Sequence, residues 1–201
     1  MQIKQILPLL LLLAITTACN PQKKLLESGN ATIEKVNGTH IQCANNISTS
    51  IDALADEDYT IFYLVRHAEK QKSGNDPGLL PEGTQRAKRL ADILADTKID
   101  MVCSSPYKRT QATASPTAES KNLKITNYSQ RQNDQSAFFT DLINNHPGSR
   151  VLVVGHSNTI PKLLNHFKGS DVYSDIDESI YDHFFIVAVK NEQAEINRFK
   201  Y

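Results

Sequence analysis

The chain has 201 residues with 22 basic and 22 acidic side chains, so its formal charge is zero. That length accommodates one ordinary domain with a sizeable core plus some additional chain. Balanced, scattered charge argues against a nucleic-acid binder, and three cysteines are too few for a disulfide scaffold.

The first segment, MQIKQILPLLLLLAITTAC, has one lysine, an apolar stretch from Ile6 to Ile15, and small residues up to Cys19. The stretch is too short to span a bilayer and has the layout of a secretory signal. The small residues before a cysteine resemble the lipobox of bacterial lipoproteins, with Thr16 where that pattern usually has leucine. The resemblance implies a signal peptide over residues 1–18 and lipidation of Cys19. The protein would then be exported to the bacterial cell envelope, on its periplasmic or surface side, with a membrane as partner through the lipid anchor. An ordinary cleaved signal peptide with Cys19 incidental is the alternative.

Residues 19–58 are polar and rich in Asn, Ser and Thr, which reads as a tether with little structure of its own. Within it, ATIEKVNGTHIQC (residues 31–43) places Asn37-Gly38 between two short runs with β-branched residues. Both turn residues tolerate positive φ, so the pattern predicts a hairpin that must lie against a larger body to be stable.

From Tyr59 to Tyr201 the pattern changes to that of a folded domain. Strand-like runs occur at TIFYLVR, IDMVCSS, LKITNY, RVLVVGH and HFFIVAVK, with a weaker one at AEINRF. Between them, PEGTQRAKRLADILADTK repeats apolar residues at Ala87, Leu90, Ala91 and Leu94, a helical spacing. NDQSAFFTDLINNHPG and NTIPKLLNHFKG read as two further helices. Alternating strands and helices predict an α/β fold, a three-layer αβα sandwich around a mostly parallel sheet.

In such sheets ligands bind beyond the carboxyl ends of the strands. Arg66 and His67 follow IFYLV, His156 follows RVLVVG, and Arg109 lies shortly after MVCSS in the first turn of a helix. Parallel strands bring all four to one sheet edge. Two arginines and two histidines suit a phosphate: the guanidinium fork matches its oxygens, and a neutral imidazole can attack phosphorus. Two histidines could instead ligate a metal with a carboxylate, but no H-E-x-x-H or comparable motif occurs, and the arginines would repel the cation.

LVRHAEK, SSPYKRTQATA and VVGHSNT, in that order, resemble the histidine phosphatase superfamily, the group that includes cofactor-dependent phosphoglycerate mutases. The likeness covers roughly residues 60 to 190 and adds LLPEGTQRAKRLADIL as a matching intermediate segment. It implies a phosphoglycerate mutase-like fold, no cofactor or metal, and a phosphatase acting on a small phosphorylated substrate. His67 would become phosphohistidine, with Arg66, Arg109 and His156 forming the phosphate pocket and Asn158 a further contact. The short span from Arg109 to His156 disfavours mutase activity.

The proton donor is open. One branch of the superfamily carries an acid directly after the second histidine, where this chain has Ser157. The other carries it in a loop past the second arginine, where the nearest acidic residue here is Asp134. Either Asp134 or Asn133 could instead cap the following helix. Glu69 and Glu82 are the fallback donors. Without a placed acid, the chain would favour good leaving groups such as phosphohistidine in phosphoproteins, or bind a phosphorylated ligand without turnover. Lys70 and Lys72 belong to a solvated loop that could border the pocket. Cys43 and Cys103 could form a bridge in an exported protein, the other reading being a buried thiol at the end of a strand for Cys103.

Overall fold

The computed structural model describes residues 28–201 together with Gln22 and Leu26. Residues 1–18 and Cys19, and with them the expected signal and lipidation site, lie outside the described residues.

A small antiparallel sheet comes first, built from β1 (Ile33–Asn37), β2 (His40–Cys43) and β3 (Ile47–Ser50). The β1–β2 hairpin turns on Asn37-Gly38, with Gly38 at φ +56°, and pairs Asn37 with His40. The β2–β3 turn uses Asn45 and Asn46, both at positive φ (61° and 56°), a conformation asparagine adopts more readily than most residues. A short 3₁₀ turn at Asp52–Leu54 leads into the main sheet.

The main sheet has the order β6-β5-β7-β4-β8-β9. Its strands are β4 (Thr60–Arg66), β5 (Met101–Ser104), β6 (Ile125–Asn127), β7 (Arg150–Gly155), β8 (His183–Lys190) and β9 (Gln193–Lys200). The pairings β5–β6, β5–β7 and β4–β7 are parallel, while β8 runs antiparallel to both β4 and β9. The helices are α1 (Pro81–Ile93), α2 (Lys108–Ser120), α3 (Gln132–Asn145) and α4 (Thr159–Lys168).

Strand side chains alternate between two cores, as the two-residue period of a strand requires. Ile61, Tyr63 and Val65 of β4 join Leu90 and Ile93 of α1 and Ala114 and Ala118 of α2 on one face. Phe62 and Leu64 join Phe139 and Leu142 of α3 and Ile160, Leu163 and Phe167 of α4 on the other. Phe62 stacks on Phe167, ring centroids 4.7 Å apart, and meets Phe139 edge-on at 5.8 Å. Both sheet faces are covered, which is why β4 reads as a continuous apolar run. This is an α/β sandwich with a mostly parallel sheet.

The expected tether departs from this picture. Ala31, Ile33, Val36, Ile41, Cys43, Ile47, Ile51 and Leu54 are buried in the same cluster as α1 and β4. Thr97 Oγ1 also donates to Val36 O at 3.1 Å. Polar composition alone suggested a linker, but the apolar residues that alternate through it supply a face that packs on α1. The boundary expected before Tyr59 therefore divides a continuous core. Cys43 and Cys103 are both free and buried, so the buried-thiol reading of Cys103 holds and the bridge is not formed. Desolvation, helped for Cys43 by the Glu34 charge, pushes the Cys43 thiol up to about 11, and burial pushes Cys103 up to about 12.

Candidate active site

The parallel register of β4 and β7 sets the two histidines side by side. Arg66 pairs with Gly155, and the next amide, His67 N–H, donates to Gly155 O at 2.9 Å. Gly155 is required there: a Cβ would lie 2.8 Å from Ile160, Thr159 and Tyr128. The imidazoles of His67 and His156 meet edge-to-face with centroids 5.3 Å apart. Arg109 comes from the first turn of α2, and its guanidinium Nη2 donates to His156 Nδ1 at 3.3 Å. The four residues expected at one sheet edge are thus brought together. Arg66, His67 and His156 are 1%, 2% and 7% exposed.

The hydrogen bonds fix both tautomers. His67 Nδ1 lies 2.8 Å from Ala68 O, a group that only accepts, so Nδ1 carries the proton and Nε2 keeps its lone pair. His156 Nδ1 accepts from Arg109, so its Nε2 carries the proton and donates to Ser105 Oγ at 2.8 Å. Ser105 in turn donates to Thr110 Oγ1 at 3.0 Å, and Thr110 donates to Ser105 O at 2.7 Å. The Gln130 carboxamide also abuts His156 Nε2. Thr113 Oγ1 accepts from Ala68 N–H at 3.0 Å and donates to Arg109 O at 2.7 Å, tying the end of β4 to α2.

Burial above all, then the charges of Arg66, Arg109 and Lys70, holds His67 down at about 3 despite its bond to Ala68. His156 is held at about 3 by burial first, then by His67, Arg109 and Arg66, against a smaller opposing pull from Glu178. Both imidazoles are therefore neutral near pH 7. A neutral imidazole with a free Nε2 is nucleophilic.

Arg66 is gripped by the segment between α4 and β8. Its Nη1 donates to the carbonyls of Asp177, Glu178 and Ile180 at 3.0, 3.0 and 2.8 Å. Its Nη2 donates to Glu178 Oε2 at 2.8 Å. The guanidinium carbons of Arg66 and Arg109 lie over the rings of Tyr181 and Tyr107, at 4.2 and 4.7 Å. Among the described residues, Arg66 Nε and Arg109 Nε are buried without a hydrogen-bond partner. Buried donors left over beside a neutral imidazole are what an incoming oxyanion would satisfy. Among the described residues, no group of three His, Cys, Asp or Glu side chains is arranged to hold a metal ion.

The expected acids fall elsewhere. Asp134 is exposed at the third position of α3, where its carboxylate accepts from Ser129 Oγ at 2.9 Å. The helix starts one residue earlier than the pattern suggested, so the capping position belongs to Arg131 and neither Asn133 nor Asp134 occupies it. Glu69 is held by Arg86 through contacts of 2.7, 2.9 and 3.1 Å. Burial pushes its carboxyl up, but the Arg86 hydrogen bonds and the charges of Arg86 and Arg66 outweigh that and keep it below the usual range. Glu82 is exposed in the first turn of α1. Asn158 is exposed and holds the N-cap position of α4 without a side-chain capping bond. Lys70 lies close enough for its charge to act on both His67 and Glu178.

Sequence reasoning missed Ser105, Gln130, Tyr181 and Glu178. Ser105 stood inside SSPYKRT, so its motif was a usable signal. The other three lie in segments without periodicity or motif.

Comparison with known proteins agrees with this geometry. The pattern of the histidine phosphatase superfamily (branch 1) matches residues 62–132, which contain Arg66, His67 and Arg109. Phosphoserine phosphatase 1 of Hydrogenobacter thermophilus is 42% identical over 69 residues, 31% of this chain and 33% of the relative. The chain thus matches about a third of the length of that curated relative. The fold is similar to that of the protein histidine phosphatase SixA complexed with tungstate, with a TM-score of 0.61, 17% identity, and coverage of 70% of this chain and 97% of SixA. It is also similar to a mycobacterial glucosyl-3-phosphoglycerate phosphatase, with a TM-score of 0.60, 12% identity, and coverage of 71% and 99%. With the two motifs inside the matched segment and both histidines at adjacent strand ends of this fold, the chain is similar to the histidine phosphatase superfamily (branch 1) over residues 62–132.

Proposed function

We propose that this protein is a phosphatase that hydrolyses small phosphomonoesters through a phosphohistidine on His67. The observation that carries the reading is the His67 tautomer: Nδ1–H is bonded to Ala68 O, leaving an unprotonated Nε2 on an imidazole that feels the charges of Arg66 and Arg109. Nε2 attacks phosphorus, the bond from phosphorus to the leaving oxygen breaks, and phosphohistidine forms. Water then attacks the same phosphorus, the N–P bond breaks, and inorganic phosphate leaves with His67 restored. The N–H groups of Arg109 and Arg66 neutralise the equatorial oxygens as charge shifts during transfer, with His156 lining the pocket and accepting from Arg109. The Ser105–Thr110 chain keeps the His156 proton on Nε2.

The names of the similar proteins support a phosphatase and leave the leaving group open, since they span phosphoserine, protein phosphohistidine and glucosyl-3-phosphoglycerate. Localisation rests on the sequence. The apolar stretch Ile6–Ile15 and the small residues before Cys19 support export and a lipid anchor at the cell envelope.

The test is to incubate the 201-residue chain with labelled acetyl phosphate or 4-nitrophenyl phosphate and quench in base. An acid-labile, base-stable label on His67, absent from His67→Ala, is the expected result. Unchanged turnover in His67→Ala would refute the reading.

A further inference from the structure

The segment 170–182 has no helix or strand, yet it is fixed in place at the site. Arg66 holds three of its carbonyls, and Ile176 N–H donates to Ser157 O at 2.9 Å. The result is to bring one carboxylate, Glu178, to the rim of the anion site. Its Oε2 receives Arg66 Nη2 at 2.8 Å and its Oε1 receives the Ser157 hydroxyl at 2.5 Å. Arg66 precedes one histidine and Ser157 follows the other, so this carboxylate bridges the two strand ends that form the site.

The neighbouring carboxylates are committed to other work. Glu69 is locked against Arg86, and Asp134 is engaged with Ser129. Asp76 lies 3.7 Å from Arg109 but accepts the Lys108 N–H with both oxygens, at 3.1 and 3.3 Å. That holds it at the N-terminus of α2. Glu178 is different. Its side chain is 70% exposed, so protons from solvent reach it freely.

We propose that Glu178 is the catalytic acid and base of this site, a role that rests on the phosphatase reading above. In the empty site it stands on Arg66 as an anion. A phosphoryl group arriving at Arg66 competes for that guanidinium and sets a like charge beside the carboxylate, which then favours its protonated form. As His67 Nε2 bonds to phosphorus and the phosphorus–oxygen bond breaks, the carboxyl proton passes to the leaving alkoxide. In the second step the carboxylate takes a proton from the attacking water as the N–P bond breaks. That proton returns to solvent as inorganic phosphate leaves and the carboxylate regains Arg66, so both groups finish as they began.

The test uses the 201-residue chain and Glu178→Gln on two substrates, benzyl phosphate and 4-nitrophenyl phosphate. Benzyl alkoxide needs a proton to leave; nitrophenolate does not. The expected result is a loss of about 10²–10³-fold in the single-turnover rate of phosphohistidine formation from benzyl phosphate, with that rate retained for 4-nitrophenyl phosphate, while hydrolysis of the phosphohistidine slows for both. Glu178→Asp keeps a carboxylate and should recover part of the benzyl phosphate rate. Equal losses in the rate of phosphohistidine formation from both substrates would overturn the proposal and make Glu178 a positioning residue for Arg66. No loss on either would overturn it as well. Absence of phosphoenzyme in the wild-type chain would instead bring down the phosphatase reading, and this role with it.

Discussion

Lowering the pH from 7 to 5 should destabilise the folded protein through the two histidines it buries at the site. In an unfolded chain a histidine titrates near 6.5. In the fold, His67 and His156 are both held at about 3, by burial first, with the neighbouring arginines and, for His156, His67 adding to it. Above pH 6.5 both states carry neutral imidazoles, and these groups contribute nothing to the pH dependence. Below it the unfolded chain takes up protons that the folded site refuses, so stability falls as the pH drops from 6.5 toward 3. At pH 5 the loss is about 2 kcal/mol for each histidine, about 4 kcal/mol together, and any folded value below about 4 gives nearly the same figure. Guanidinium unfolding of the wild type, His67→Gln and His156→Gln at pH 7 and pH 5 measures it. Each variant should reduce the acid-induced loss by about 2 kcal/mol, whatever its stability at pH 7. If the loss is the same in all three proteins, the site histidines are charged in the folded state, and the nucleophilic tautomer assigned to His67 is wrong.

Two further outcomes follow from the packing. A fragment beginning at Tyr59 lacks Ile33, Val36, Ile41, Ile47, Ile51 and Leu54, whose burial contributes roughly 10 kcal/mol, comparable to the whole stability of an ordinary domain. It should show no cooperative thermal transition, whereas a fragment beginning at Ser28 should melt cooperatively; a sharp transition in the shorter one would show that the small sheet is dispensable. Arg86→Met strands the Glu69 carboxylate, 19% exposed, and should cost about 2–3 kcal/mol by urea unfolding, with part restored by adding Glu69→Gln; equal stability of the single and double variants would mean that the pair is not coupled.

The parts of the fold legible in sequence were those governed by local periodicity. The apolar run TIFYLVR could be read as a strand buried on both faces because its alternate residues meet two separate cores. The hairpin at Asn37-Gly38 was legible because two residues at a tight turn must tolerate positive φ. The same chemistry was present at Asn45-Asn46 and would have revealed β3. The residues around it are polar, so composition masks the alternation there. Mean polarity over 19–58 could not show that Ile33, Val36, Ile41 and Ile47 fall on one face and pack against α1.

The site divides in the same way, and the division explains why the acid was misplaced. Arg66, His67, Arg109 and His156 are fixed by where strands end and helices begin, which parallel pairing converts directly into proximity. Spacing after Arg109 pointed to Asp134, yet α3 starts at Gln132 and puts that residue in its first turn, where a carboxylate already has a local use at the positive end of the helix. Glu178 has no such local signature. It comes 112 residues after Arg66, in a segment whose conformation is dictated by that arginine through three main-chain carbonyls. A buried guanidinium must find acceptors, and the chain that supplies them also supplies the carboxylate. Reading Arg66 only as a phosphate ligand hid this, because four of its contacts go to the protein, and the donor it leaves free is Nε. The residue that marks the anion site in the sequence is thus also the one that folds the remaining wall of that site around it.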